Sequence, residues 1–359
     1  MGFGIKNKRF VICLFFLLVL FFGLFVYAQV NAPKRAFYFW QTTFKNSSLL
    51  ESVIRTNHLS TIYLRFFDVE WDSHFARPKP VASLDLMVAL PLTIKVIPVV
   101  FIRNEVFVHL KSNEIKKFSK NVFEKMIFMG RSFENQIIEL QFDCDWSDQT
   151  RSKYFSFLEE IAELKKHLSS FQHWKISATI RLHQVKYSAR TGVPPVDRGM
   201  LMFYNMGDLQ LRDKRNSIFN REDALKYTSF ISKYKLPLDV ALAVFSWSIH
   251  ERDQMILGLY SSLTVDDITA NSFFIKESGQ HFKAKMSHYF HGVYYIKGDS
   301  VKFEGMNPQE TLLAAKLLIS SHGFFENFST VALFDLNERM FKEYGTNGIE
   351  KIFGIFNKI

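Results

Sequence analysis

The residues from Ile137 to Trp146 alternate in character without a break. Glu139, Gln141, Asp143 and Asp145 fall on one side, and Ile138, Leu140, Phe142, Cys144 and Trp146 on the other. A period of two predicts a β-strand. Helix-patterned segments flank it, so both of its faces are expected to be covered, as in a parallel sheet. Three carboxylates and an amide then point into a confined space, where an unpaired polar group is costly. They require partners, water or a ligand, and this requirement shapes the reading of the rest of the chain.

Strand and helix patterns alternate around that stretch. Strands are expected at 37–41, 61–68, 96–102, 137–146, 175–183, 200–206, 239–247 and 330–337, and helices at 48–56, 113–129, 151–168, 224–234 and 349–356. Eight strands separated mostly by helices predict an α/β chain closed into a (β/α)8 TIM-type barrel. One connection is too long for a plain loop: roughly 80 residues separate the seventh and eighth strands, and a loop of that length carries its own structure. It contains an expected hairpin turning at Lys297-Gly298-Asp299 and a helix from Asn307-Pro308 to Ser320, with proline at a favoured first position. The expected organisation is barrel strands 1–7 in residues 36–248, an inserted α+β subdomain over the barrel mouth in 249–328, and strand 8 with a final helix in 329–359.

The N-terminus reads as a separate element. Lys6, Lys8 and Arg9 precede an uncharged run from Phe10 to Tyr27, and Val26-Tyr27-Ala28 places small residues at positions suited to cleavage. Residues 1–28 are therefore expected to be a secretory signal peptide, with an uncleaved membrane anchor as the alternative. The chain is expected to be exported across the cytoplasmic membrane, periplasmic or secreted, and to touch a membrane only through an uncleaved N-terminal segment. Once residues 1–28 are gone, Cys144 is the one cysteine left, so no internal disulfide is available. The formal net charge is +10, but the basic residues are spread along the chain without a dense block. A solvated basic surface is expected, attractive to anionic polymers at most, and nucleic acid is not expected as a partner.

Working groups in such barrels come from the C-terminal ends of strands and the loops that follow. That rule, with the inward face of the 137–146 strand, selects Asp143, Asp145 and Glu139 as candidate catalytic carboxylates. It also selects Trp40, Arg65, Glu70, Gln141, Arg181, His183, Tyr204, Asn205, Trp247 and Asp335 as candidate substrate contacts. The plainer account is an inert ion network, with Arg65 and Arg181 neutralising the carboxylates. An excess of acid over base, with aromatic residues at several strand ends, instead suits a sugar: aromatic faces stack on pyranose C–H surfaces, and carboxylates and amides bond hydroxyls. His183 beside Asp143 or Asp145 could hold a metal, yet no dense ligand spacing is present. Neither a metal nor a cofactor is expected, and no phosphate-loop, dinucleotide or nucleophile-elbow motif occurs.

Phe142-Asp143-Cys144-Asp145-Trp146 resembles the D-x-x-D-x-D-x-E signature strand of family 18 glycoside hydrolases, the chitinase-like enzymes, and Met202-Phe203-Tyr204-Asn205 resembles their M-x-Y-D. The fuller pattern is similar to a group of uncharacterised bacterial proteins in the glycosidase barrel superfamily. The resemblance implies that Asp143 and Asp145 stand for the second and third signature aspartates, and Tyr204 for a substrate-contacting tyrosine. It also marks departures. Leu140 replaces the first aspartate, Ser147 the general-acid glutamate, and Asn205 the aspartate of the sixth strand. Chitinase chemistry, in which the substrate's N-acetyl group serves as nucleophile, does not transfer intact. The sequence points to an exported glycan-acting protein, foremost a glycoside hydrolase-like enzyme with Asp145 as the candidate acid. The alternatives are a non-catalytic barrel that binds an envelope glycan and a structural envelope protein.

Overall fold

The computed structural model describes residues 32–45, 48–87, 90–207, 209, 215–320, 328–335 and 337–357. The expected leader at 1–28 lies outside them.

Among the described residues, eight parallel strands close into a barrel: Lys34–Phe39, Thr61–Asp72, Lys95–Ile102, Glu139–Asp143, Lys175–Arg181, Arg198–Met202, Leu238–Ala243 and Thr330–Phe334. Closure is direct, because the first strand pairs both with the second (Ala36 opposite Thr61) and with the eighth (Lys34 opposite Thr330). The fold is the (β/α)8 barrel that strand count predicts.

The fourth strand shows why the alternation of 137–146 is compatible with full burial. All five of its residues are buried, Leu140 and Phe142 toward the helices and Glu139, Gln141 and Asp143 toward the barrel interior. The outer layer is unusually aromatic. Phe142 meets Phe157 edge to face at 5.1 Å, and Phe107, Phe118 and Tyr154 complete a cluster with the helices Ile115–Gly130 and Arg151–Lys166. Truncating a ring as buried as Phe157 to alanine costs about 3–5 kcal/mol in such cores. Much of the phenylalanine content thus serves packing.

The expected seventh strand, 239–247, is two strands. The barrel strand ends at Ala243, and Ser246–Arg252 turns away to pair antiparallel with Ser300–Gly305. These two belong to a five-stranded sheet in the order Met255–Tyr260, Ser246–Arg252, Ser300–Gly305, His281–Ala284, Phe274–Ser278. The sheet has its own core, in which Phe274, Phe282, Tyr295, Val301 and Phe303 are buried. The hairpin expected around Lys297-Gly298-Asp299 does not form. The turn exists, with Asp299 N donating to Ile296 O at 2.9 Å, but its flanking strands join different partners. Val293–Tyr295 pairs with His288–Phe290, whereas Ser300–Gly305 lies between Ser246–Arg252 and His281–Ala284. Local turn chemistry identified the bend, and the longer-range pairing decided the partners.

Helix Pro308–Ser320 buries Ala314, Ala315 and Leu318 in the barrel's core and packs against the last helix, Glu338–Ile355. It takes the place of the barrel helix before the eighth strand. The last helix begins eleven residues earlier than the expected 349, because Asn337 caps it by accepting from Met340 N, and it is interrupted at Gly345, whose φ is +59°.

Candidate active site at the barrel mouth

The C-terminal strand ends bring two polar clusters to the mouth. In the first, Asp143 closes the fourth strand and is 4% exposed. The neighbouring fifth strand sets Thr179 and Arg181 beside it: Asp143 Oδ1 accepts from Thr179 Oγ1 at 2.5 Å and from Arg181 Nη2 at 3.2 Å. Arg181 also donates through Nε to Asp145, which lies just past the strand with its side chain 52% exposed. One guanidinium therefore holds both signature carboxylates. Burial raises the Asp143 pKa; Arg181 opposes the rise and Asp145 adds to it. Burial by itself would lower the Arg181 pKa, but Asp143 and Asp145 raise it, so the guanidinium stays charged. Ser147, at the position the resemblance gives to a general acid, is held in a local turn: its backbone N–H donates to Thr150 Oγ1 at 2.9 Å.

The second cluster joins the first and second strands. Arg65 donates through Nε to Asp68 Oδ1 at 2.7 Å and through Nη1 to the Trp40 carbonyl at 3.0 Å, and its guanidinium lies 5.2 Å from the Trp40 ring centroid. One Trp40 face is thereby occupied by a cation. Beside this cluster opens a cavity of roughly 610 Å³, lined by Trp40, Arg65, Phe245, Asp335, Arg339 and Glu343 among others. Its size falls in the ordinary range for ligand pockets. Asp335 follows a cis Phe334–Asp335 peptide bond, and its Oδ1 accepts from Asn337 Nδ2 at 3.1 Å. Burial raises its pKa to about 6, against the opposing hydrogen bond from Asn337. Tyr204 links the two clusters, buried with its ring 5.7 Å from Phe245 and 5.5 Å from Phe334. Its hydroxyl donates to Met202 Sδ at 3.1 Å, and burial raises its pKa.

The structure thus gathers Trp40, Arg65, Asp143, Asp145, Arg181, Tyr204 and Asp335 at one end of the barrel. Other expected site residues go elsewhere. Glu139 opens the strand that Asp143 closes, about 13 Å away at strand rise. It accepts from Ser177 Oγ at 2.5 Å, near the buried ion pair of Arg198 with Asp239. Gln141 is fully buried between them, accepting from the Tyr38 hydroxyl at 2.5 Å and donating to Ser177 Oγ at 3.1 Å. Both are interior residues, because alternation fixes a face but not a depth along the barrel. Glu70 sits where the second strand overhangs the rim, paired with Arg103 at 2.7 Å. His183 is exposed on a short helix, Leu182–Lys186, since the fifth strand stops at Arg181, whose N–H donates to Gln184 Oε1 at 2.8 Å. Trp247 belongs to the inserted sheet, opposite Glu304, and its indole N–H donates to Glu304 Oε2 at 3.4 Å. Asn205 turns outward at φ +54°, its N–H donating to Ile218 O at 2.8 Å.

Sequence reasoning missed Arg339 and Glu343, which line the cavity from the first part of the last helix. The Asn337 cap was the available signal.

No family model matches the chain, and no curated protein matches it in sequence. In fold it is similar to a chitinase-like agglutinin from Robinia pseudoacacia, with a TM-score of 0.50 and 12% identity over 89% of this chain and 99% of that one. The spore cortex-lytic enzyme SleL of Bacillus cereus aligns with a TM-score of 0.49 and 13% identity over 91% of this chain and 74% of that one. A class V chitinase from Nicotiana tobaccum aligns with a TM-score of 0.48 and 10% identity over 91% and 99%. Identities this low speak to fold alone. By fold the chain is a (β/α)8 barrel, the architecture that these structures share.

Proposed function

We propose that the barrel mouth binds a carbohydrate and does not cleave it by the chemistry of chitinase-like barrels. One observation carries this reading: Arg181 holds Asp143 and Asp145 together, and Ser147 stands where an acid is required. With Ser147 at that position no carboxyl stands where such chemistry needs its proton donor, and Arg181 already occupies the two neighbouring carboxylates. Partners for hydroxyls come from the neighbouring cavity, whose lining contains neither Asp143 nor Asp145. Trp40 and Phe245 supply apolar wall, Arg65 and Arg339 donors, and Asp335 and Glu343 acceptors around a cavity of roughly 610 Å³. The uncharged run Phe10–Tyr27 supports export, which would put the ligand among envelope glycans. Titration calorimetry against soluble chito-oligosaccharides, peptidoglycan fragments and glucans tests the reading. Saturable binding weakened by Trp40→Ala supports it, and no heat from any member of the panel counts against it.

A hydrolytic reading is favoured by a different residue. Asp335 has no arginine partner among the described residues, and its pKa of about 6 suits a general acid. Release of reducing ends that is abolished by Asp335→Asn would replace the binding reading with this one.

A further inference from the structure

We propose that a groove on the outer wall of the barrel binds a small anionic amphiphile, a phosphate or carboxylate head on an apolar body. The groove lies between the rim hairpin and the helix Ile115–Gly130, apart from the barrel-mouth cavity, and encloses roughly 550 Å³.

The hairpin arises because the second strand outruns its neighbour. The last pair with the third strand is Val69 opposite Ile102, and the overhang to Asp72 folds back as Arg77–Val81, with Asp72 opposite Arg77. The returning strand pairs with nothing else among the described residues. Such an edge ordinarily invites another strand, but Pro78 and Pro80 remove two of its N–H donors. A ligand must therefore be held by side chains.

Those side chains are of two kinds. The floor is apolar, with Phe67, Val69 and Phe118 buried and Trp71 half-buried, its ring stacked on His109 at 5.1 Å. The rim is cationic. Arg77 and Lys79 stand on the hairpin, and Lys117 and Lys125 two helical turns apart on the helix, a spacing that puts both on one face. None of the four has an ion-pair partner among the described residues. Lys125 Nζ lies 5.1 Å from the Phe67 ring centroid and Arg77 5.0 Å from that of Phe75. The one acid in the lining, Glu114, is already engaged, its Oε2 accepting from Lys111 N at 2.9 Å. Four cations against one carboxylate, over an aromatic floor, leave a net positive rim that complements a negative head and an apolar body together.

The test is equilibrium dialysis of the full chain with dodecyl phosphate below its micellar concentration, alongside inorganic phosphate and dodecyltrimethylammonium. Saturable one-to-one binding of dodecyl phosphate is expected, tighter than that of either comparison probe. The Lys117→Glu/Lys125→Glu double variant should lose about tenfold or more in affinity, as removal of charge-assisted contacts implies. Lys117→Gln, at an exposed position, should lose part of it with an unchanged thermal melt. Asp335→Asn, at the barrel mouth, should bind as the parent does. Equal binding of the cationic probe, or undiminished binding by both lysine variants, would overturn the proposal. Inorganic phosphate binding as tightly as dodecyl phosphate would overturn the amphiphile in favour of a bare anion.

Discussion

Arg181 donates to Asp143 across 3.2 Å from the end of the adjacent barrel strand, and the acceptor is almost completely buried. Removing the donor would leave a carboxylate in the interior with Thr179 as its remaining partner. Arg181→Ala is therefore expected to destabilise the fold by about 3–5 kcal/mol at pH 7, the range for breaking a buried pair from one side. The loss should shrink as the pH falls and Asp143 takes up a proton, and Asp143→Asn in the same chain should recover much of it. Urea unfolding of the two variants at pH 7 and pH 4.5 checks both statements.

Glu139 gives a stability signature of its own. Burial raises its pKa from 4.5 to about 7, with Ser177 opposing and Asp239 adding. A carboxyl whose folded pKa lies above its unfolded value favours folding when protonated. Its contribution is complete below about pH 4.5 and is lost as the pH rises through about 7. Glu139→Gln keeps an acceptor for Ser177 and removes the charge. It should stabilise the protein at pH 8 by up to about 3 kcal/mol and leave it unchanged at pH 4. Equal effects at both values in urea titrations would contradict the assignment.

At the mouth, Asp335 should make ligand affinity depend on pH. As a carboxylate it accepts two hydroxyl donors, whereas the protonated form loses acceptor capacity. Affinity for a neutral glycan should rise between pH 5 and pH 7 with a midpoint near 6, its pKa in the folded protein. Asp335→Asn should flatten the profile, as measured by titration calorimetry across that range.

Two tryptophans separate the mouth from the inserted sheet. Trp40 lines the cavity and Trp247 is bonded to Glu304 within the sheet. Trp40→Ala should weaken glycan binding about tenfold, and Trp247→Phe should change it less than about twofold, in line with the concentration of binding energy in a few aromatic contacts. Comparable losses in both would put the ligand across the inserted sheet instead.

The barrel was legible because its signal is periodic. Alternation in 137–146 and 175–183, short apolar runs and turn residues determine eight strands, and eight strands close. The interior end of the site was less so. Glu139 and Asp143 lie on the same face of the same strand, and only the finished barrel shows that one faces the floor and the other the mouth. Trp247 and His183 were misplaced for a related reason: the seventh strand stops at Ala243 and the fifth at Arg181. Neither ending is marked by glycine or proline at that position. Val244 N donates to Phe334 O at 2.8 Å, a contact between segments about 90 residues apart that local sequence does not encode. Arg181 was recognised as a partner for the carboxylates, but its simultaneous hold on both depends on the strand register and on the turn after Asp143.

The proposed ligand of the mouth is a glycan that Asp143 and Asp145 do not cleave. The most direct measurement incubates the full chain with each glycan found to bind and quantifies new reducing ends by mass spectrometry, in parallel with Asp145→Asn. The account predicts saturable binding with no product from either protein. Product from the parent chain that disappears in Asp145→Asn would contradict it, and would return that carboxylate to the role of catalyst.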